Sequence, residues 1–322
     1  MRSSLIEIRN LCIQTANESR ELVKNISFSI YPGEAVGVVG ESGSGKTLTA
    51  LSILGLLPRG VLAQSGEVAY GGKNLLNASE ESRRSIRGRE ISMIYQDPMT
   101  ALNPVMKLGK QLLEVFEAHE LPKENAQERA LNALIEVGIP EPERAMQSYP
   151  HEFSGGMRQR VMIAMALVLS PKLLIADEPT TALDVTIQRQ ILALISEQRK
   201  KTQMSILWIT HDLGVVANLV DRVIVMYAGQ IVEEGSVNEI FTNPQHRYTA
   251  GLLKSLPKAT IKNRERLSAI PGVPPKPWLV ENSCAFSSRC SYVTEECLSK
   301  TPALIRNKFT SAACFHPVGG NS

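Results

Sequence analysis

The spacing of apolar residues changes several times along the chain, and each change marks out elements. Near the N-terminus the apolar runs are short. Leu5–Ile8, Ile26–Ile30 and Ala35–Val39 read as strands, with a Pro32-Gly33 turn between the last two. Ile91–Tyr95 reads as a further strand, and Leu57–Ser65 as a long loop. Over Lys107–His119 and Glu124–Val137 the apolar residues recur every three or four positions among many charges, which predicts helices. They form a helical insert between about residues 97 and 160. The wholly apolar run Val161–Leu169 reads as a buried helix, and Leu173–Ala176 as a buried parallel strand. Val185–Arg199 is helix-like, while Ser205–Thr210 and Arg222–Tyr227 are rich in strand formers. Strands alternating with helices predict an α/β fold with a mostly parallel sheet covered on both faces. Beyond Asn243 the pattern loosens. Pro271–Pro277 fits neither a regular helix nor a central strand and reads as a strap.

Composition changes this picture little. The chain is 43% hydrophobic and 21% charged, which is ordinary for a soluble globular protein. A net charge of +3 is too small to argue for nucleic acid, and no such partner is expected. Val161–Leu169 is about half the length needed to cross a bilayer. Met1–Arg9 carries no apolar signal-peptide core, so the expected compartment is the cytoplasm. There the cysteines matter. Cys12 stands alone and reads as a core thiol, whereas Cys284, Cys290, Cys297 and Cys314 crowd into the tail. In a reducing compartment such crowding favours a metal over disulfides.

The chemistry is concentrated in three places. Gly40-Glu41-Ser42-Gly43-Ser44-Gly45-Lys46-Thr47 matches G-x-x-x-x-G-K-[ST] at every fixed position, between a strand and a helix-like segment. Glycines let backbone N–H groups turn toward phosphate oxygens, and the following helix adds its positive end. Lys46 reaches the β- and γ-phosphates in such a loop, and the Thr47 hydroxyl holds Mg²⁺. Second, the run Leu173–Ala176 delivers Asp177 and Glu178 to a strand end, where open α/β sheets bind ligands. Asp177 suits Mg²⁺, and Glu178 suits a general base for water. Third, Ser154-Gly155-Gly156 offers an N-cap and exposed N–H groups at a helix start, a second anion site. One γ-phosphate does not need two such sites in one chain, but a dimer with shared nucleotides does.

These motifs, in this order, resemble the nucleotide-binding subunit of an ATP-binding cassette (ABC) transporter. The resemblance covers about residues 4–245. It implies a RecA-like P-loop NTPase core, an antiparallel β subdomain, a helical subdomain and ATP with Mg²⁺ as ligands. It makes Gln96 the Q-loop glutamine that senses Mg²⁺ and the membrane subunits, and Ser154–Gln159 the signature. Asp177 and Glu178 become Walker B and the catalytic glutamate. Thr181-Ala182-Leu183-Asp184 becomes the D-loop and His211 the γ-phosphate-sensing histidine. Two departures stand out. Phe153 opens the signature where Leu is usual, and residues 11–23 lack the aromatic expected to stack on adenine.

Met99–Pro104, Asn243–Thr249, Leu252–Pro257 and Ile270–Pro275 are similar to importers of oligopeptides, dipeptides and nickel, in particular to the first (D-type) of their two ATPases. The resemblance implies a nucleotide-binding domain over residues 1–245 and an irregular Cys-rich extension over 246–322. It also implies a second ATPase as heterodimer partner, two membrane permease subunits, an external binding protein and a place on the inner face of the membrane. Related importers carry a similar cysteine tail, some with a [4Fe–4S] cluster. The spacing C-x5-C-x6-C-x16-C lacks the tight pair usual for zinc and suits a cluster on irregular loops. Zinc and four reduced thiols stay open alternatives. His246 and His316 could serve as ligands, but polar surface roles suit them better. The rival reading is a soluble ABC ATPase of DNA repair or translation. The short insert and single set of motifs count against it. The chain has no Asn-Lys-x-Asp sequence for guanine.

Overall fold

A computed structural model describes residues 3–181, 183–256, 269–307 and 310–319. They divide into two compact units. The first runs from the N-terminus to Asn77 and from Trp208 onward, without Pro32–Glu34; the second contains those three residues and Ala78–Leu207.

In the first unit, β1 (Ile6–Thr15), β2 (Glu21–Ile30), β4 (Val61–Tyr70) and β5 (Lys73–Asn74) form an antiparallel sheet of order β2-β1-β4-β5. β3 (Ala35–Val39) is buried throughout and leads into α1 (Lys46–Leu54). β3 pairs in parallel with β9 (Arg222–Tyr227), and β9 pairs antiparallel with β10 (Gln230–Ser236). The tail extends this sheet, since β12 (Ser311–Ala312) adds to β10 and β11 (Ile305–Arg306) adds to β12, both antiparallel. The sheet is therefore mixed, with its antiparallel edge supplied partly by the Cys-rich extension. The remaining helices of this unit are α9 (Leu213–Leu219), α10 (Val237–Thr242), α11 (Arg247–Lys254) and α12 (Glu295–Ser299).

The second unit is mainly helical. Its helices are α2 (Glu80–Ile86), α3 (Pro98–Ala101), α4 (Leu108–Glu117), α5 (Ala126–Glu136), α6 (Pro142–Gln147), α7 (Gly155–Leu167) and α8 (Val185–Thr202). β6 (Ile91–Ile94) and β7 (Leu173–Asp177) pair in parallel and are buried throughout. β8 (Ser205–Thr210) begins in this unit and ends in the first. Leu112 and Phe116 of α4 with Ala130 and Leu134 of α5 are buried, as their spacing predicts.

Three expectations need correction. The loop expected at Leu57–Ser65 gives way at Val61 to β4, which pairs with β1 from Val61 opposite Thr15 to Tyr70 opposite Ile6. Only Val68 of that strand is fully buried, so the apolar pattern there is faint. Cys12 is half-buried on β1, where its Sγ accepts the Asn25 N–H at 3.2 Å, and is not a core thiol. His246 is 1% exposed and caps α11, its Nδ1 accepting the Tyr248 N–H at 3.1 Å. Burial lowers its pKa to about 3.

Candidate functional site

The first unit contributes the phosphate loop, Gly40–Thr47. Gly43 and Gly45 have φ of +79° and +98°, a region that L side chains rarely enter. A Cβ at Gly43 would meet no atom within 4 Å, so the cradle faces open space there. A Cβ at Gly40 would lie 2.2 Å from the Met226 carbonyl oxygen, so only glycine lets the loop leave β3 beside β9. Gly45 is the N-cap of α1 and offers no side-chain bond there. Lys46 is 5% exposed, and its Nζ donates to the Gly40 and Glu41 carbonyls at 2.8 and 3.0 Å. Those carbonyls hold the ammonium across the loop. Ser44 is buried, while Ser42 and Thr47 are exposed. An open cradle of this kind, with the exposed residue Thr47 following Lys46, suits a phosphate chain and a hard cation. His211 is exposed just past β8, and Asp212 caps α9 by accepting the Gly214 N–H at 2.8 Å.

Two residues that sequence reasoning missed also belong here. The Glu41 N–H donates to Tyr248 Oη at 2.9 Å, and the Glu41 carboxylate pairs with Arg289 Nη1 at 2.6 Å and Nη2 at 3.1 Å. In the β1–β2 turn, where no aromatic was found, the Arg20 guanidinium lies 5.3 Å from the ring centre of Trp278.

The second unit brings Gln96 and Glu178 together. Asp177 is 4% exposed at the end of β7. The next residue, Glu178, has φ +46°, a conformation that costs a non-glycine residue about 1–3 kcal/mol and turns the chain sharply. Its Oε2 accepts from Gln96 Nε2 at 3.3 Å and from Thr181 Oγ1 at 3.1 Å. Asp184 caps α8, its Oδ1 accepting the Thr186 and Ile187 N–H groups at 2.9 and 3.0 Å. Ala182 of the D-loop lies outside the described residues. Ser154 caps α7, accepting the Met157 N–H at 3.3 Å. Gly155 is exposed, and Gly156 packs where a Cβ would sit 3.1 Å from Ile187. Phe153 is buried, so the apolar exchange keeps the anchoring role.

The tail cysteines meet around one small cavity. Cys284, Cys290, Cys297 and Cys314 line it with His246 and His316, but its volume is about 10 Å³, room for one water. Among the described residues no three Cys, His, Asp or Glu side chains form a group able to hold a metal. Burial pushes the Cys284 thiol up to about 11 and also raises Cys290 and Cys314. As they stand, the thiols do not fit the expected [4Fe–4S] cluster. His316 accepts or donates at 2.9 Å to Thr294 Oγ1.

Comparison with known proteins agrees with this arrangement. A family model for ABC transporters matches residues 23–181, and one for the oligopeptide/dipeptide transporter C-terminal region matches residues 232–297. The oligopeptide transport ATP-binding protein OppD of Bacillus subtilis is 51% identical, over 97% of this chain and 89% of the relative. The dipeptide transport ATP-binding protein DppD of Escherichia coli is 46% identical, over 94% of this chain and 93% of the relative. Among solved structures, cbiO1 of Clostridium perfringens, part of the ABC transporter complex cbiONQ, superimposes with a TM-score of 0.65 at 28% identity. That alignment covers 74% of this chain and 90% of the other. The ATP-binding cassette MJ0796, solved as a dimer bound to ADP and Pi, aligns with a TM-score of 0.64 at 26% identity over 72% of this chain and 98% of the other. The chain belongs to the ABC transporter family of ATPases, in its oligopeptide/dipeptide branch.

Proposed function

We propose that this chain hydrolyses ATP to power peptide import through an ABC transporter, as the D-type member of a pair of ATPases. One observation carries the reading: likeness to named oligopeptide and dipeptide transport proteins runs from the cassette through the Cys-rich extension. Residues 1–245 are read as the nucleotide-binding domain and 246–322 as the extension. The pair would sit on two permease subunits at the inner membrane face, fed by an external binding protein. No described helix is long and apolar enough to cross a membrane.

Each half of the site has its own work. Gly40–Thr47 wraps the triphosphate with backbone N–H groups, and Lys46 moves from the loop carbonyls to the phosphates. Thr47, Asp177 and Gln96 are the candidate holders of Mg²⁺, which when bound neutralises charge on the phosphate oxygens. Glu178, oriented by Gln96 and Thr181, takes the proton of the attacking water. His211 faces the γ-phosphate as charge develops. Ser154, Gly155 and Gly156 offer the N-terminus of α7 to a nucleotide held by the partner ATPase. Closure over both nucleotides then drives the permeases. Among the described residues the tail cysteines form no group able to hold a metal.

Purification of the tagged chain from its host membrane tests the reading. It should bring down two polytopic proteins and a second ATPase, and a peptide-loaded binding protein should stimulate ATP hydrolysis in liposomes. A chain recovered free of membrane proteins, or stimulated by nucleic acid, would favour the soluble-ATPase reading.

A further inference from the structure

The phosphate loop holds a residue whose charge is wrong for its task. Glu41 lies between Gly40 and Ser42, in a loop built to receive an anion, and a nearby like charge opposes binding. Its carboxylate does not face the ligand alone. Arg289, whose side chain is 4% exposed, meets it in a two-pronged pair at 2.6 and 3.1 Å. Arg289 is fixed from the extension side as well. Its Nε donates to the Pro271 carbonyl at 2.8 Å, and its Nη groups reach the Ile270 carbonyl at 3.3 Å and Tyr227 Oη at 3.2 Å. Tyr227, Tyr248 and Phe286 pack ring against ring around this point, with centroids 4.5–5.5 Å apart. Glu41 is thus held three ways: by its N–H on Tyr248, by its carbonyl under Lys46 and by its carboxylate on Arg289.

We propose that Arg289 is a positioning residue of the ATP site, which cancels the charge of Glu41 and pins the phosphate loop to the cysteine-rich extension. A forked guanidinium with fixed partners suits this role, because it can satisfy a carboxylate and two backbone carbonyls in one plane. The consequence is a physical link between the tail and nucleotide affinity. Cys290 follows Arg289 in sequence, and the Cys284 N–H bonds the Cys297 carbonyl at 2.8 Å, so the fold of the cysteine module sets where Arg289 stands.

The proposal rests on the ATP-site reading above, and the experiment separates the two. Full-length wild type, Lys46→Ala, Arg289→Gln, Glu41→Gln and the Glu41→Gln/Arg289→Gln double variant are titrated with fluorescent ATP, after thermal melts establish folding. ATPase KM and kcat are measured in the assembled transporter. Arg289→Gln should weaken ATP binding about tenfold or more, because it strands a half-buried carboxylate in a loop that must receive an anion. The change should appear in KM with kcat at saturating ATP nearly kept. The double variant should recover to within about threefold of wild type, since no stranded charge remains. Glu41→Gln alone should bind ATP at least as tightly as wild type, which keeps the test alive even where Arg289→Gln fails to fold. Arg289→Gln binding like wild type, a double variant as weak as the single, or a Glu41→Gln that loses affinity would each overturn the proposal. A wild type that ignores ATP, or equal binding by Lys46→Ala, would instead sink the ATP site itself.

Discussion

Replacing Gly40 by Ala puts a methyl group where the loop has no room. The new Cβ would stand 2.2 Å from the Met226 carbonyl oxygen and 2.8 Å from Ser44 Oγ. Met226 belongs to β9, whose ladder with β3 is continuous up to Val39 opposite Val225, so both sides of the clash are backbone. Reaching ordinary contact needs an opening of roughly 1 Å. Overpacking of this kind costs about 1–3 kcal/mol. The strain has two places to go. If the loop moves, the backbone N–H groups of the cradle Gly40–Thr47 are displaced from the places that suit a phosphate chain, and ATP affinity falls by about 5- to 150-fold at 1.4 kcal/mol per decade. If β9 moves, the melting temperature drops by several degrees instead. Isothermal titration with ATP and a thermal melt on the same preparation read both. Gly60→Ala is the control: its φ is +81° and a Cβ would meet no atom within 4 Å, so it should lower stability slightly and leave ATP binding alone. A Gly40→Ala protein with wild-type affinity and melting point would refute the reasoning.

Other expectations follow from the same geometry. Glu178→Gln should keep ATP binding and lower phosphate release by about 100-fold or more, the contribution of a positioned general base; turnover at the normal rate would mean that another group takes the proton. Buried His246, neutral with a pKa of about 3 in the fold against an ordinary 6.5, binds its proton only when the chain unfolds. Its contribution to stability is therefore complete above about pH 6.5 and is lost as pH falls toward 3, at up to about 1.4 kcal/mol per pH unit. His246→Asn keeps an N-cap acceptor for Tyr248 and should flatten the melting-temperature slope between about pH 6.5 and 5; an unchanged slope would assign the loss to other groups.

The motifs were legible because their chemistry is local. Gly43 and Gly45 reveal the loop through conformations that only glycine takes cheaply, and Ser154 and Asp184 reveal helix starts by bonding N–H groups two or three residues on. β3 and β7 were visible because buried parallel strands are uniformly apolar. β4 was not, because Gln64, Ser65 and Glu67 interrupt it and its place is set by pairing with β1. The one local hint was Gly66, whose Cβ would lie 2.5 Å from the Asn10 carbonyl oxygen on the neighbouring strand. His246 misled for a related reason. An isolated histidine in irregular sequence says nothing of burial, and its neighbour Glu233 reaches it from β10, its carboxylate accepting the His246 backbone N–H at 2.9 Å.

Glu41 shows why a perfect motif match still understates a site. The variable positions of the phosphate-loop pattern carry no information within the pattern, so a carboxylate there reads as filler. Its meaning depends on a partner 248 residues away. No periodicity or local propensity connects the two positions. The connection requires α11 to present Tyr248, β9 to end on Tyr227, and the proline strap to lay its Ile270 and Pro271 carbonyls under Arg289. In the sequence Arg222–Tyr227 reads as a strand and Pro271–Pro277 as a strap, but nothing in either segment, nor in Asn243–Thr249, points to Glu41. Together they make the extension part of the wall behind the phosphate loop. A truncation that removes the extension therefore strands Glu41 as well as deleting a domain, and its effect on ATP affinity should shrink when Glu41 is replaced by Gln.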